Sequence, residues 1–378
     1  PGHLAALAGL PPGTPRPGRE EIRELLFPDG RARLLERTGT PLGLSGFVAL
    51  PLFADELAAT RDLAARTARA VEHAAGLGAR CVSLAGTIPS LTGYGFDVLR
   101  EARTDAAITT GHATTTVAVV KTVHAALDAT GGRLDRLSLT VVGCGSIGTS
   151  ALRLLLARSP RPPAHLVLCD LPGSGPRLER LAAELTDRHP GLPVRIVESG
   201  PGLPEEVYAS EVIVTAVSDA SALVDVTRLR PGTVLVDDSF PHCFDTARAL
   251  ERMRERGDVL VVGGGLLDAG AARPRLAEDL PEVATTGFAG RSGVPGTLAS
   301  CRLESLLHAH TTRPGRASGR LPLTHGLVGL PGALAHWDAV EAAGVSAAPL
   351  HLLDHEVPAA PLRAPDAPAP DRAGSRCP

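Results

Sequence analysis

The segment LTVVGCGSIGTSALRLLL places three glycines in the spacing G-x-G-x-x-G, directly after a strand-like run and at the start of a helical one. Gly143 permits a tight turn, Gly145 lets a ligand approach the backbone, and Gly148 allows close helix packing. The first N–H groups of the following helix favour a negative charge. Asp170 ends the next strand-like run, 22 residues after Gly148. The pattern predicts a dinucleotide site; the alternative is a tight turn in a sheet that binds nothing.

The predicted cofactor contacts come from this loop and from a later strand. Asp170 would accept hydrogen bonds from the adenosine ribose and repel a 2′-phosphate, which favours NADH over NADPH. Arg177 could bind a 2′-phosphate and so make NADPH the cofactor instead. The run VIVTAVSDAS, 212–221, ends with small residues past which the nicotinamide half can extend. The predicted cofactor-binding residues are Gly143, Gly145, Ser146, Ile147, Gly148, Asp170, Ala216, Val217 and Ser218.

Strand-like and helical runs alternate between residues 136 and 290, which is typical of a doubly wound parallel sheet. The strand-like runs are LSLTVVG, HLVLCD, PVRIVE, EVIVTAV, TVLVDDS and VLVVGG. We therefore predict an α/β fold in which a central Rossmann-type sheet lies between an N-terminal α/β substrate domain and a C-terminal helical part. The predicted bounds are 1–135, 136–290 and 291–355, with a disordered Pro- and Ala-rich tail over 356–378.

The composition of the 378-residue chain argues against several classes of partner. A net charge of -3 offers no basic surface for nucleic acid. No apolar run is long enough to span a bilayer, and the first residues lack the charged region of a secretory signal. Six cysteines without paired spacing predict a reducing cytoplasm and no metal site. The oligomeric state does not follow from the sequence.

The segment PGTLASCRLESLLHAH, 295–310, places a single cysteine near the start of a predicted helix. With Thr297 as N-cap, the helix covers 298–310, and Cys301 lies about four residues inside it. The partial positive charge of a helix N-terminus stabilises a thiolate. Cys301 is therefore a candidate nucleophile, and the alternative is a small buried apolar residue.

The loop VDDSFPHCF follows a later strand and holds further titratable groups. Asp237 and Asp238 are a possible carboxylate pair for chemistry, although such a pair more often caps the end of a strand. Cys243 is a rival thiol without a helix N-terminus to favour its thiolate. These residues remain secondary candidates.

Two N-terminal segments, LAGTIPSLTGYG and ITTGHATTTVAVVKTVHAAL, are dense in small and hydroxylated residues. His112, in the turn between a strand end and a helix, could donate to a developing oxyanion or relay a proton. The alternative is a turn histidine hydrogen-bonded to backbone. The predicted substrate-binding residues are Gly86, Thr87, Ser90, Thr110 and Gly111.

In their order along the chain, these motifs resemble those of the long-chain acyl-[acyl-carrier-protein] reductases, which form aldehydes. The resemblance covers roughly residues 2–355 and is carried by GHL, LAGTIPS, ITTGHATTT, VVGCGSIG, DDSFP, GGG and CRLES. Its more specific parts are the glycine loop, the TTG turn and the Cys-x-x-Glu pair. The resemblance implies an N-terminal substrate domain, a central Rossmann domain and a C-terminal helical part.

The resemblance also implies a reaction. Cys301 matches the nucleophilic cysteine of that family, and Glu304 matches its glutamate, to which we assign a positioning role. The implied substrate is an acyl thioester of acyl carrier protein or of CoA, reduced by NADH or NADPH to an aldehyde. The chain departs from the family at His112, where asparagine is usual, and at Asp170, because the family uses NADPH.

Two other interpretations remain open. One is an imine or amino-acid dehydrogenase related to the ornithine cyclodeaminases, in which Cys301 only packs. The other is a non-catalytic dinucleotide-binding protein.

Overall fold

The structure is a computed structural model that describes residues 18–200, 202–218, 224–277, 280, 294–312, 321–358 and 361–362. The helices are α1 Arg19–Leu26, α2 Ala54–Leu57, α3 Leu63–Gly76, α4 Ile88–Leu91, α5 Phe96–Glu101, α6 His112–Thr130, α7 Ser146–Arg158, α8 Gly175–Arg188, α9 Glu205–Tyr208, α10 Thr246–Glu255, α11 Ser300–Thr311 and α12 Leu330–Ala342. The strands are β1 Arg33–Thr40, β2 Gly43–Ala49, β3 Cys81–Ser83, β4 Ala107–Thr109, β5 Ser138–Val142, β6 His165–Asp170, β7 Val194–Glu198, β8 Val212–Thr215, β9 Val234–Asp237, β10 Leu260–Gly263, β11 Leu266–Asp268, β12 Arg273–Leu276, β13 Thr297–Ala299, β14 Ser346–Ala347, β15 His351–Leu352 and β16 His355–Glu356.

The described residues belong to two compact units. Unit 1 draws on Pro1–Thr122, Gly145–Arg158 and Gly263–Val357. Unit 2 draws on Val123–Cys144, Ser159–Val262 and Pro358–Pro378. The division into four segments made from the sequence stays a prediction, and most of the predicted disordered tail lies outside the described residues.

A six-stranded parallel sheet with the order β7-β6-β5-β8-β9-β10 forms the frame of unit 2. From β5 the chain adds β6 and β7 on one side, then returns to add β8, β9 and β10 on the other. This is the order 3-2-1-4-5-6 of doubly wound dinucleotide-binding sheets. All residues of β8, β9 and β10 are buried, which explains their continuous apolar sequence. The predicted α/β fold with a doubly wound sheet is confirmed.

Unit 1 contains smaller sheets. An antiparallel sheet has the order β12-β1-β2, another has the order β13-β11-β14, and β3 pairs with β4 in parallel. The parallel pair matters for the site because the carboxyl ends of β3 and β4 meet at one edge. The backbone N–H of Leu84 donates to the carbonyl of Thr109 at that edge, at 2.8 Å.

The helix that carries Cys301 begins later than the sequence predicted. Residues 297–299 form β13, in which Leu298 pairs with Leu267, and α11 begins at Ser300. Pairing with a distant strand overrides the local capping signal of Thr297, and the N-cap position falls to Ala299. Cys301 is therefore the second residue of the helix, closer to the terminus than expected.

Candidate functional site

Glycine shapes the loop that follows β5. Gly143 has a φ of +84°, and a Cβ atom there would lie 2.5 Å from the carbonyl oxygen of Ala216. Only glycine fits this position, since a side chain would be both strained and obstructed. A Cβ atom on Gly145 would instead have no atom within 4 Å. The loop therefore packs tightly at its first glycine and leaves open space at its second, immediately before α7 begins at Ser146.

The remaining predicted loop residues have structural contacts of their own. Within unit 1, the Ser146 hydroxyl accepts from the backbone N–H of Val328 at 3.3 Å and lies 3.4 Å from the carbonyl oxygen of Gly326. Gly148 is buried in α7, and Ile147 is half-buried. Because the Ser146 hydroxyl is engaged, its backbone N–H is the group left for a cofactor.

Asp170, at the end of β6, is bound into the glycine loop. Its Oδ2 accepts from the backbone N–H of Cys144 at 2.8 Å and from Arg177 Nη2 at 2.7 Å, while Oδ1 accepts from the N–H of Leu171. Arg177 also donates to the carbonyl of Cys144. The guanidinium group of Arg177 therefore offsets the negative charge with which Asp170 was expected to repel a 2′-phosphate.

These residues meet the chemical demands of a dinucleotide. The open space beside Gly145 and the first N–H groups of α7 suit a pyrophosphate. Asp170 stands at the end of the second strand of the sheet, where such folds hold the adenosine ribose. Each of these features, taken within its own unit, has the chemistry that the predicted cofactor requires.

The loops after β8 and β9 are joined at the same edge of the unit 2 sheet. The backbone N–H of Val217 donates to Ser239 Oγ at 3.1 Å, and the N–H of Ser239 donates to Asp237 Oδ1 at 3.0 Å. Ala216 packs against Gly143, as described above. Ala216, Val217 and Ser218 are described, whereas the end of the predicted run, 219–221, lies outside the described residues.

His242, which the sequence analysis did not single out, contacts Asp237 at the end of β9. His242 Nδ1 lies 2.6 Å from Asp237 Oδ2. The Asp237 side chain is fully buried, while 20% of the His242 side chain is exposed. Asp237 Oδ1 also accepts from Thr215 Oγ1 at 2.5 Å. The spacing D-x-x-x-x-H, with Pro241 turning the chain between the two residues, was the available signal.

The other titratable groups of this loop are less suited to chemistry. Asp238 keeps part of its surface accessible, but surrounding protein atoms and then the charge of Asp237 raise its pKa well above the ordinary value. Cys243 is fully buried, and burial followed by the charge of Asp237 raises the pKa of its thiol to about 12. A thiol of this kind is a poor nucleophile at neutral pH.

In unit 1, Cys301 packs against the glycine of the TTG turn. A Cβ atom on Gly111, which has a φ of +75°, would lie 2.7 Å from both the Cα and the Cβ of Cys301. Glycine is thus required at position 111 for two reasons, the backbone conformation and this close approach. Cys301 is half-buried in the first turn of α11, where the helix dipole favours a thiolate.

Glu304, one turn further along α11, is a buried acceptor that joins two helices. Only 1% of its surface is exposed. Its Oε2 accepts from the backbone N–H groups of Ala113 and Thr114, each at 3.0 Å, in the first turn of α6. The hydroxyls of Thr109 and Thr324 donate to Oε1. These four donors, from three different segments of unit 1, account for the burial of a charged side chain.

His112 begins α6, beside Gly111. Its side chain is 4% exposed, and Nδ1 has no hydrogen-bond partner among the described residues. Tyr94 contacts its ring edge to face, with 6.2 Å between ring centroids. Burial lowers the pKa of His112 to about 4, so the imidazole is neutral at neutral pH. It can donate one hydrogen bond to an oxyanion, but it is a weak source of protons.

The predicted substrate residues lie at the joined ends of β3 and β4. The backbone N–H of Thr110, a buried residue, donates to the carbonyl of Thr324 at 3.0 Å. Gly86 and Thr87 follow β3, and Ser90 belongs to the short helix α4. The fold thus brings both predicted segments to one edge of unit 1.

Among the residues that the structure describes, no group of three or more His, Cys, Asp or Glu side chains is arranged to hold a metal ion. Within the same residues, no helix combines the length and apolar character needed to cross a membrane.

No family model matches the chain. The aminotransferase PigE of Serratia sp. (strain ATCC 39006) is 27% identical over 222 residues, which are 58% of this chain and 24% of that protein. The chain therefore spans about a quarter of the length of this curated relative.

Two solved structures are also similar. The Thermococcus litoralis Δ1-pyrroline-2-carboxylate reductase, in complex with NADH and L-proline, has a TM-score of 0.32 and 12% identity, over 61% of this chain and 66% of that one. The L-tryptophan dehydrogenase of Nostoc punctiforme has a TM-score of 0.33 and 16% identity, over 59% and 58%. Likeness at this level says nothing about chemistry.

Proposed function

We propose that the protein is an oxidoreductase that uses a nicotinamide dinucleotide. The observation that supports this is the G-x-G-x-x-G loop after the first strand of a sheet ordered 3-2-1-4-5-6, with Asp170 ending the second strand. In such sheets, ligands bind beyond the carboxyl ends of the strands, where the strand order reverses. Here that point lies between β5 and β8. When bound, the cofactor supplies or accepts a hydride.

Each loop residue then has a defined task. The backbone at Gly145 and the first N–H groups of α7 bind the pyrophosphate, because nothing occupies the space beside Gly145. Asp170 accepts from a ribose hydroxyl. Ala216, Val217 and Ser218, after β8, border the nicotinamide half.

The choice between NADH and NADPH depends on Asp170 and Arg177. The ion pair between them, with 2.7 Å from Nη2 to Oδ2, leaves the Arg177 side chain 42% exposed. We propose that NADH is preferred, because a 2′-phosphate would have to draw Arg177 away from Asp170 and leave that carboxylate beside a second negative group.

We propose further that the substrate is an acyl thioester and that Cys301 is the nucleophile. The support is the position of the thiol in the first turn of α11, where a thiolate is favoured. The thiolate attacks the thioester carbonyl, the carrier departs as its thiol after taking a proton, and an acyl group remains on Sγ. Addition of hydride to the carbonyl carbon then expels the aldehyde and regenerates the thiolate.

The neighbours of Cys301 support this reaction without reacting themselves. Glu304 is a positioning residue, because its carboxylate holds α11 against the first turn of α6. Neutral His112 can donate a hydrogen bond to the oxygen on which charge develops. The carrier would be acyl carrier protein or CoA, in the cytoplasm.

A second candidate is direct reduction of a carbonyl or imine without a covalent intermediate, as in an imine or amino-acid dehydrogenase. One observation favours it: the pair formed by His242 and the buried Asp237 belongs to the same unit as the sheet and needs no thiol.

The test of Cys301 is mass spectrometry of the intact protein after incubation with a panel of acyl-CoA thioesters and no reductant. We expect a mass gain equal to one acyl group, located on the peptide that contains Cys301. Adding NADH or NADPH should then release the aldehyde and remove the adduct.

Cys81→Ser is the matched control, because Cys81 is the other half-buried cysteine among the described residues. Burial, and then the charge of Glu304, raises the pKa of the Cys81 thiol to about 12. Labelling should survive Cys81→Ser and be lost in Cys301→Ser. Aldehyde formation by Cys301→Ser at the wild-type rate would rule out the acyl-enzyme and favour the second candidate.

A further inference from the structure

Asp237 and His242, both in unit 2, form a hydrogen-bonded pair. Within the part of the chain that the structure describes, the other contacts of the Asp237 carboxylate come from neutral groups: Thr215 Oγ1 at 2.5 Å, the N–H of Ser239 at 3.0 Å and Cys243 Sγ at 3.5 Å, all at Oδ1. Oδ2 is left for His242 Nδ1, at 2.6 Å. A buried carboxylate needs hydrogen-bond donors to offset its loss of hydration, and His242 Nδ1 supplies one at Oδ2.

The orientation of the ring follows from this contact. A carboxylate only accepts hydrogen bonds, so Nδ1 carries a proton and Nε2 is the nitrogen that gains or loses one. Phe244 stacks on the ring, with 5.3 Å between centroids and an interplanar angle of 27°. The side chain is 20% exposed. His242 is therefore held in one orientation while remaining in contact with the outside.

The location of the pair links it to the proposed cofactor site. Asp237 ends β9, and the carboxyl ends of neighbouring parallel strands share an edge. A chain of contacts leads from the pair to the glycine loop: Asp237 to Ser239, Ser239 to Val217, and the adjacent Ala216 to Gly143. All these residues belong to unit 2.

We infer that His242 is a catalytic acid and base for hydride transfer at a carbonyl carbon, and that Asp237 positions its ring. This inference rests on the proposed dinucleotide site but not on Cys301. The protein would accordingly interconvert aldehydes or ketones with alcohols, a reaction beyond the release of an aldehyde from a thioester.

The step balances in both directions. In reduction, hydride from the reduced nicotinamide forms the new C–H bond and the carbonyl π electrons move to oxygen. That oxygen takes the Nε2 proton of the His242 imidazolium, which leaves an alcohol and a neutral ring. In oxidation, neutral Nε2 accepts the hydroxyl proton as hydride leaves the carbon for the oxidised nicotinamide. Asp237 keeps its charge throughout and stabilises the imidazolium.

The test compares the wild type with His242→Gln, Asp237→Asn and His165→Gln. His165 is an exposed histidine at the start of β6, so its replacement is the matched control. Each protein is given NADH or NADPH with a panel of aliphatic and aromatic aldehydes and ketones, and the alcohol is detected by mass spectrometry. Supplying the carbonyl compound directly bypasses Cys301.

We expect alcohol from the wild type and from His165→Gln. His242→Gln should lower kcat by at least about 100-fold, the ordinary contribution of a positioned acid or base, with little change in KM or in dinucleotide affinity. A second readout needs no cofactor. In ¹⁵N NMR spectra of the protein alone, neutral His242 should carry its proton on Nδ1 in the wild type and on a mixture of both nitrogens in Asp237→Asn.

Three results would overturn the inference: no reduction of any panel member by wild type, wild-type kcat in His242→Gln, or an unchanged His242 tautomer in Asp237→Asn. Failure of the proposed function looks different. A wild-type protein that binds neither nucleotide contradicts the oxidoreductase proposal, whereas one that acylates Cys301 and releases aldehyde but makes no alcohol contradicts the role of His242 alone.

Discussion

Glu304 Oε2 accepts a hydrogen bond from the backbone N–H of Thr114 at 3.0 Å, across 190 residues of sequence. This contact ties the helix that carries the candidate nucleophile to the first turn of α6. The carboxylate also lies where the partial positive charge of α6 is concentrated. Glu304 therefore holds the first turn of α6 against α11, the helix that carries Cys301.

Glu304→Ala should strongly destabilise the protein. The substitution leaves the backbone N–H groups of Ala113 and Thr114 buried without their acceptor, whereas the hydroxyls of Thr109 and Thr324 still lie 2.9 Å from each other. Each unsatisfied group costs about 1–3 kcal/mol, so the loss in the free energy of unfolding should exceed about 2 kcal/mol. The control is Asp55→Asn, which removes an exposed ion pair with Arg19 and should cost less than about 1 kcal/mol. Urea denaturation measures both, and equal effects would refute the structural role of Glu304.

Gly111→Ala should cost more stability than Gly131→Ala. Both glycines have positive φ, +75° and +69°, so each substitution adds about 1–2 kcal/mol of backbone strain. A Cβ atom at position 131 has no atom within 4 Å, whereas one at position 111 meets Cys301 at 2.7 Å. The difference in Tm between the two variants, taken from their thermal unfolding curves, therefore measures the cost of the contact between residue 111 and Cys301. Coinciding curves would show that the two segments are not in contact.

His112 should make stability depend on pH below neutrality. Its pKa is about 4 in the folded protein and near 6.5 when unfolded, so between these values the unfolded chain binds more protons. Stability then rises with pH through this window, and acidification from 6.5 to 4 costs about 3 kcal/mol from this residue. His112→Gln should flatten that slope in urea titrations at several pH values, while replacement of the exposed His165 by glutamine should leave it unchanged.

Arg177→Ala should sharpen the preference for NADH. Without its guanidinium partner, Asp170 repels a 2′-phosphate with its full charge. We expect NADPH affinity to fall by about 10-fold or more, the effect of losing roughly 1.4 kcal/mol, with a smaller change for NADH. Arg180→Ala, at an exposed position of the same helix, controls for net charge. Calorimetric titration measures both affinities. A larger loss of affinity for NADPH than for NADH supports the account, and equal losses for both nucleotides count against it.

The parts of the molecule predicted from sequence are those with local causes. All six strands of the unit 2 sheet were predicted. Strands β8, β9 and β10 are buried throughout and form continuous apolar runs, whereas the edge strand β7 has no buried residue and was predicted from its β-branched residues and its place in the alternation. The turn at Gly143 was also predicted, because the G-x-G-x-x-G spacing indicates a tight turn at its first glycine.

The rest depended on contacts between residues distant in sequence. The start of α11 moved because Leu298 pairs with Leu267, and the burial of Glu304 depends on donors about 190 residues away. The pairing of His242 with Asp237 needs the chain to reverse within one loop, which periodicity does not reveal. Local patterns therefore predicted the framework of the fold but not the hydrogen bonds around Glu304 and Asp237, and the site residues named from the sequence stay predictions.

The central claim, that the glycine loop binds a nicotinamide dinucleotide, is tested most directly by calorimetric titration of the wild type and Gly145→Asp with NADH and NADPH. Because a Cβ atom at position 145 meets no atom within 4 Å, the variant should fold with an unchanged Tm. Its carboxylate would lie where the pyrophosphate binds. The account predicts one dinucleotide bound per wild-type chain and affinity at least about 100-fold weaker in the variant, corresponding to about 2.7 kcal/mol. A wild type that binds neither nucleotide, or a variant that binds as tightly as the wild type, would contradict it.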